Sequence, residues 1–276
     1  MSVPVLNVET LRSEPGRRLA PRSDELSVEE PLEIRIAGEA LAITLRTPGH
    51  DHELVAGFLL AEGLIRSRAD LGTLVHCGNL GAQGYGNVID VSAAPGTVLD
   101  IEGLGHTRRG TLTTAACGLC GRTLISDLLS RLAPVPPCQP FERAFIAESV
   151  SALAEHQPTF ARTGGLHAAG IARPRSGFLV VREDVGRHNA VDKAVGRLLL
   201  DELVPAPGAL LVVSGRVSFE LVQKAIAAGL AGVVGVSAPS SLAVSTAARF
   251  GLLLCGFARA EGFNVYAGAE RLAADA

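Results

Sequence analysis

Residues 209–236 read ALLVVSGRVSFELVQKAIAAGLAGVVGV. An apolar run at 209–213 is followed by a small polar turn. Residues 219–230 then carry apolar side chains at helical spacing, and a second apolar run follows at 232–236. Short apolar runs bounded by glycine and serine are the pattern of strands buried on both faces. Two such strands joined through a helix pair in parallel, because a parallel pair needs a crossover connection.

The same grammar extends outward. Upstream, residues 186–202 place Val191, Ala194, Val195, Leu198 and Leu199 on one helical face, residues 166–172 and 177–182 read as paired strands, and 144–155 reads as a helix. Downstream come a helix at 240–250 and strand-like runs at 252–257 and 263–266. Residues 141–276 are therefore expected to form a layered α/β domain with a largely parallel sheet. Before it, residues 32–110 read as a smaller α+β domain. Leu32, Ile34 and Ile36 alternate with Glu33 and Arg35, residues 42–45 pair back across Gly38-Glu39, and 52–65 forms a helix capped from Asp51. Short β runs follow at 87–91 and 98–101, and the glycines at 78, 81, 84 and 86 read as turns. Residues 111–140 form a cysteine-bearing loop and linker, with a short helix at 124–132 ended by Pro134, Pro136 and Pro137. Residues 1–31, polar and rich in Pro and Arg, read as a loose arm.

Composition narrows the function. Of 276 residues 47% are hydrophobic and 19% charged, with a net charge of −3. A large core is affordable, and no Lys/Arg run marks a general nucleic-acid binder. Any anion must be gripped locally, by a few arginines and backbone amides. No apolar stretch is long enough for a membrane span. The first 31 residues carry Glu9, Arg12, Glu14, Arg17 and Arg18 and no apolar signal core, so a cytoplasmic, reducing setting is expected. The five cysteines are then not a disulfide framework.

Cys117-Gly118-Leu119-Cys120-Gly121 is the sharpest local feature. The glycines permit tight dihedrals and leave the sulfurs uncovered, and Arg122 beside them favours a thiolate. Three chemistries use such a pair: a zinc knuckle, a dithiol redox site and a persulfide relay. The first lacks a second CxxC, and the second lacks a strand-to-helix junction ahead of the pair. Two buried loop cysteines are the plain alternative.

Polar groups gather where strands meet helices. REDVGRHNAVDK at 182–193 puts Arg187 and His188 at a helix start, where backbone N–H groups favour anions, with Asp192 a turn later. Ser214 and Arg216 follow the 209–213 strand, and SAPSS repeats the arrangement at 237–241. Phe257, Ala258, Arg259, Ala260, Glu261 and Gly262 form a further loop between the last two β runs. His167, after Gly164-Gly165, either faces the same cleft or is a satisfied structural histidine. His50, His52, His76, His106 and His156 show no persuasive partner. Ligands of open α/β sheets collect at such strand ends, so a large, phosphorylated, nucleotide-like ligand is expected.

Together, CGLCG, TGGLHAAG, REDVGRHNAVDK, SGRVSFELVQKA and SAPSSLAV…GFARAEGFNVY resemble the formate dehydrogenase accessory sulfurtransferase family (FdhD-type sulfur carriers), from about residue 27 to the end. The resemblance implies a homodimer whose second domain has a cytidine-deaminase-like fold. It implies passage of sulfur from a cysteine desulfurase to the molybdenum (or tungsten) bis-pterin guanine dinucleotide cofactor of apo formate dehydrogenase. Cys117 resembles the persulfide-forming cysteine, Cys120 its assisting neighbour, and residues 257–262 the cofactor-binding loop. On that reading Asp192 accepts from a guanine edge, Arg216 and Arg259 meet pyrophosphates, and no structural metal is expected. Two rivals stand beside it. A zinc-dependent nucleotide deaminase needs H-x-E with P-C-x-x-C, whereas no H-x-E occurs and Ala116 precedes Cys117. A non-enzymatic cofactor-binding chaperone shares the binding loops and needs no reactive thiol.

Overall fold

The computed structural model describes residues 3–78, 85–99, 126 and 128–274. Twelve strands in three sheets and six α-helices are assigned among them. Residues 5–27, expected as a loose arm, form an antiparallel hairpin of β1 (Val5–Arg12) and β2 (Ala20–Ser27). The hairpin is exposed along most of both faces, so no apolar alternation announced it.

The second sheet runs β4-β3-β6-β5, from β3 (Glu30–Ile36), β4 (Glu39–Arg46), β5 (Leu71–His76) and β6 (Val88–Ala93). Leu32, Ile34 and Ile36 of β3 face inward and are buried, as their alternation predicts. Residues 98–99 carry no regular structure.

The third sheet, order β12-β11-β10-β9-β7-β8, comprises β7 (His167–Arg173), β8 (Gly177–Asp184), β9 (Leu210–Val213), β10 (Gly232–Gly235), β11 (Leu253–Arg259) and β12 (Gly262–Ala267). Strands β9, β10 and β11 are parallel, joined through α5 (Phe219–Ala227) and α6 (Ser241–Phe250). The sheet is mixed rather than largely parallel, because β7 is antiparallel to β8 and β9, and β12 to β11. The turns joining β7 to β8 and β11 to β12 are too short for a crossover and force antiparallel pairing. Every residue of β9 and β10 is buried, so both faces of the sheet are covered. Helix α4 (Arg187–Leu200) lies beside α5, and α5 beside α6, while α2 (Arg143–Glu155) packs separately across β7, β9 and β11. The short α3 (Pro158–Thr163) follows α2.

Helix α1 (Asp51–Ala61) joins the two larger sheets by packing along α4. The approach is backbone to backbone. A Cβ on Gly57 would stand 2.0 Å from the Asp192 carbonyl oxygen, and one on Gly196 would meet the Glu53 carbonyl oxygen even more closely. One continuous hydrophobic core therefore runs from Leu32 of β3 through Val55 and Leu59 to Val195 and Leu211.

Candidate functional site at the strand ends

The register brings the polar loops to one edge of the six-stranded sheet. The loops after β9 and β10 leave its C-terminal ends. Because β7 is antiparallel to β9, with Ala169 opposite Val213, its first residue His167 arrives at that same edge. Asp184 of β8 lies opposite His167, so the start of α4 is delivered there too. Parallel β11 ends there at Arg259, and β12 begins there at Gly262.

Short hydrogen bonds lock these loops together. The Ser214 N–H donates to the Ala168 carbonyl (3.0 Å), and the Ala168 N–H donates back to Ser214 Oγ (2.8 Å). The loops after β9 and β10 are joined by Val217 N–H to Ala238 O (3.1 Å) and Ser240 N–H to Val217 O (2.9 Å). A guanidinium nitrogen of Arg259 donates to the carbonyls of Val236 (2.5 Å) and Ala258 (2.7 Å), which fastens the β11–β12 turn to the β10 loop. Ala258 is a core residue, whereas Phe257, Arg259, Ala260, Glu261 and Gly262 are exposed. Phe257 holds a left-handed backbone (φ 51°), uncommon for an aromatic residue, with half of its surface open.

The electrostatics favour an anion. His188, buried at the start of α4, places Nε2 3.1 Å from Ser218 Oγ and 2.7 Å from Glu220 Oε2. His188 is also the main reason the Glu220 carboxyl stays below the usual carboxylate range, against its burial. His167 is held below the usual imidazole range by burial first, then by Arg187 and His188. Gly215 lies against this ring, since a Cβ there would sit 3.3 Å from Nδ1. Arg187 has its Nε buried with no hydrogen-bond partner, and neither Arg187 nor exposed Arg216 has a carboxylate within ion-pair distance among the described residues. Two guanidiniums with no carboxylate partner among the described residues suit a phosphoryl group. A cavity of about 480 Å³ opens alongside, lined by Gly165, His167, Ser214, Val236 and Phe160, a size within the usual range for small-molecule sites.

Asp192 does not join this cleft. It is buried one turn deeper, with Oδ1 2.6 Å from Lys224 Nζ, so its carboxylate is engaged inside the protein rather than offered to a guanine. The inner half of REDVGRHNAVDK is likewise structural. Asp184 accepts from Lys193 Nζ (2.7 Å), from the backbone N–H of Thr47 (3.1 Å) and of Gly186 (2.8 Å), and from Asn189 Nδ2 (3.1 Å). This web anchors the turn that presents Arg187. Sequence reasoning missed Glu220 and Ser218 as partners of His188, because the contact joins two helix starts thirty residues apart. Cys117 and Cys120 lie outside the described residues. Among the described cysteines, Cys255 is buried and its thiol is pushed up to about 12, so it is unreactive. No group of three His, Cys, Asp or Glu side chains among the described residues could hold a metal ion.

Residues 27–273 match the model of the FdhD/NarQ family. The chain belongs to that family. It is 53% identical over 256 residues to the sulfur carrier protein FdhD of Anaeromyxobacter dehalogenans strain 2CP-C, covering 90% of this chain and 88% of the relative. It is 46% identical over 262 residues to the protein of that name from Streptomyces coelicolor, covering 92% and 91%. The fold itself recurs in a solved structure. The crystal structure of a formate dehydrogenase accessory protein from Desulfotalea psychrophila superposes with a TM-score of 0.77 at 22% identity, over 98% of this chain and 100% of that one.

Proposed function

We propose that this chain is a sulfurtransferase. It takes sulfane sulfur from a cysteine desulfurase and hands it to the molybdenum (or tungsten) bis-pterin guanine dinucleotide cofactor required by formate dehydrogenase. The relatives' name, sulfur carrier protein, supports the transfer. The observation that carries the acceptor side is the pair of arginines, Arg187 and Arg216, which have no carboxylate partner among the described residues and stand beside His167 at one sheet edge. Arg187 and Arg216 meet the acceptor's phosphates, and Ser214 and Phe257 border its nucleotide end. Arg259 positions the 257–262 turn through its bonds to Val236 and Ala258.

The chemistry balances on two thiols. The Cys117 thiolate attacks the outer sulfur of the donor persulfide, the donor S–S bond breaks, and the donor leaves as a thiolate. Cys117 now holds the persulfide. The Cys120 thiolate then attacks the inner sulfur, forming a Cys117–Cys120 disulfide and expelling hydrosulfide to the acceptor metal as a terminal ligand. The two electrons that reduce the sulfane sulfur come from the dithiol, and an external dithiol reductant reopens the disulfide. The active protein is a homodimer in the cytoplasm. No helix among the described residues is long and apolar enough to cross a membrane.

The test is intact-mass spectrometry after incubation with a cysteine desulfurase and cysteine. A reducible gain of about one sulfur atom is expected, absent in Cys117→Ala. No gain with a competent desulfurase would leave a cofactor-binding chaperone. Calorimetry with a guanine nucleotide tests the acceptor side, and unchanged affinity in Arg187→Ala and Arg216→Ala would remove the strand-end assignment.

A further inference from the structure

The two walls of the strand-end cavity are held by unequal means. On one side Ser214 and Val236 follow the fully buried strands β9 and β10, and Leu153 comes from the buried face of α2. On the other side stand Phe160, Gly164, Gly165, Leu166 and His167, from α3 and the turn that leads into β7.

Helix α3 has six residues, and none of them is buried. So short a helix is not stable by propensity alone and ordinarily leans on an apolar face. Here the support is polar and comes from two clamps. At the start of the helix the Glu183 carboxylate accepts from the backbone N–H of Thr159 (3.0 Å) and of Phe160 (2.7 Å), which ties that end to β8. At the far end the Arg162 guanidinium donates twice to the Glu25 carboxylate of β2, at 2.9 and 2.5 Å.

The outer clamp belongs to the N-terminal hairpin. Strand β2 is the element that α3 packs against most. Past the helix, Gly164 turns the chain in a left-handed conformation (φ 65°), and Gly165 lies against Ser27, whose Oγ would stand 2.7 Å from a Cβ at Gly165. The hairpin thus touches this wall on both sides of the Gly164 turn. It forms a two-stranded sheet of its own, paired with neither larger sheet, so it can leave without breaking a strand ladder of the core. The inner clamp does not have that freedom, because Glu183 sits within β8.

We propose that the N-terminal hairpin is a strap on the cleft. Docked, it holds α3 and the Gly164-Gly165 turn in place as the cavity wall. Released, it frees that wall and the cavity loosens. A wall ordered in advance spares the ligand the cost of ordering it, so docking of the hairpin raises affinity in the cleft. The strap stands independently of what the cleft binds, whereas this consequence for affinity rests on the acceptor reading above.

Hydrogen exchange read by mass spectrometry on the full chain tests the strap with Glu25→Arg, which breaks the outer clamp and leaves the sequence of α3 intact. Amides of residues 159–166 should exchange several-fold faster than in wild type. Adding Arg162→Glu on that background restores opposite charges and should return them toward the wild-type rate. Calorimetry with GDP tests the consequence. Affinity should be roughly threefold to tenfold weaker in Glu25→Arg and recover in the double variant. Unchanged exchange at 159–166 while β1 and β2 open would overturn the strap, because the wall would then stand without the hairpin. Faster exchange with unchanged GDP affinity would overturn its link to the cleft. Absence of GDP binding by the wild type would remove the acceptor reading instead, and exchange at 159–166 would still decide the strap.

Discussion

The small sheet and the N-terminal hairpin are both attached to the layered domain, and they are attached by different physics. At the α1–α4 seam two helices touch through Gly57 and Gly196, and the buried Lys193–Asp184 pair is extended to the Thr47 carbonyl and N–H. At the hairpin, docking rests on exposed Arg162, bidentate to Glu25, and on Ser27 lying against Gly165. Water competes for the second attachment and is excluded from the first. The seam should therefore unfold only with the whole molecule, and the hairpin should open by itself.

The largest expected effect is at Lys193. Lys193→Met leaves Asp184 buried without its cation and should cost roughly 3–5 kcal/mol in urea unfolding. A cost below about 1 kcal/mol would show that Asp184 is neutral or solvated, and the seam would lose its ionic anchor. Gly196→Ala comes next. The added methyl would overlap the Glu53 backbone, so the helices must separate, at roughly 3 kcal/mol or about 6–12 °C in Tm. An unchanged Tm would mean that the helices do not cross at this distance.

A smaller, pH-dependent effect is expected at Arg182. Burial pushes the Glu53 carboxyl up, but Arg182 and then His50 outweigh it and hold the group down to about 2. A depressed carboxyl stabilises the fold above its unfolded value near 4.5, and this contribution is lost as pH falls toward 2. The Tm gap between wild type and Arg182→Gln should be widest above pH ~4.5 and close as pH approaches ~2. A gap that stays constant across that window would remove Glu53 as its source.

How much of this was legible depended on how local the signal was. The β9–α5–β10 unit declared itself because its strands are buried on both faces and bounded by turns. The strand-end location of Ser214, Arg216 and 257–262 followed from it. The antiparallel setting of β7 against β9 did not, because a helix separates β8 from β9 and no local pattern says which strand of the hairpin lies next to β9. The internal pairing of Asp192 was hidden for a similar reason. Its residue type suits a ligand contact, but Lys224, the partner that engages it, lies 32 positions away on another helix.

The smallest effect should come from Arg162→Ala. In the Arg162–Glu25 pair Arg162 is exposed and Glu25 partly so, and ion pairs open to solvent contribute little to global stability because water and salt compete for them. The hairpin itself is two strands with few buried residues, a structure that is marginal without support. Global Tm should therefore be unchanged, while backbone amides of β1 and β2 exchange with solvent faster than in wild type and those of α1 and α4 do not. Hydrogen exchange read by mass spectrometry separates the two regions. If Arg162→Ala instead lowers Tm as Lys193→Met does, the hairpin belongs to the same cooperative unit as the seam. Burial would then not be what distinguishes the two attachments, and the hairpin would have to be counted with the core it flanks.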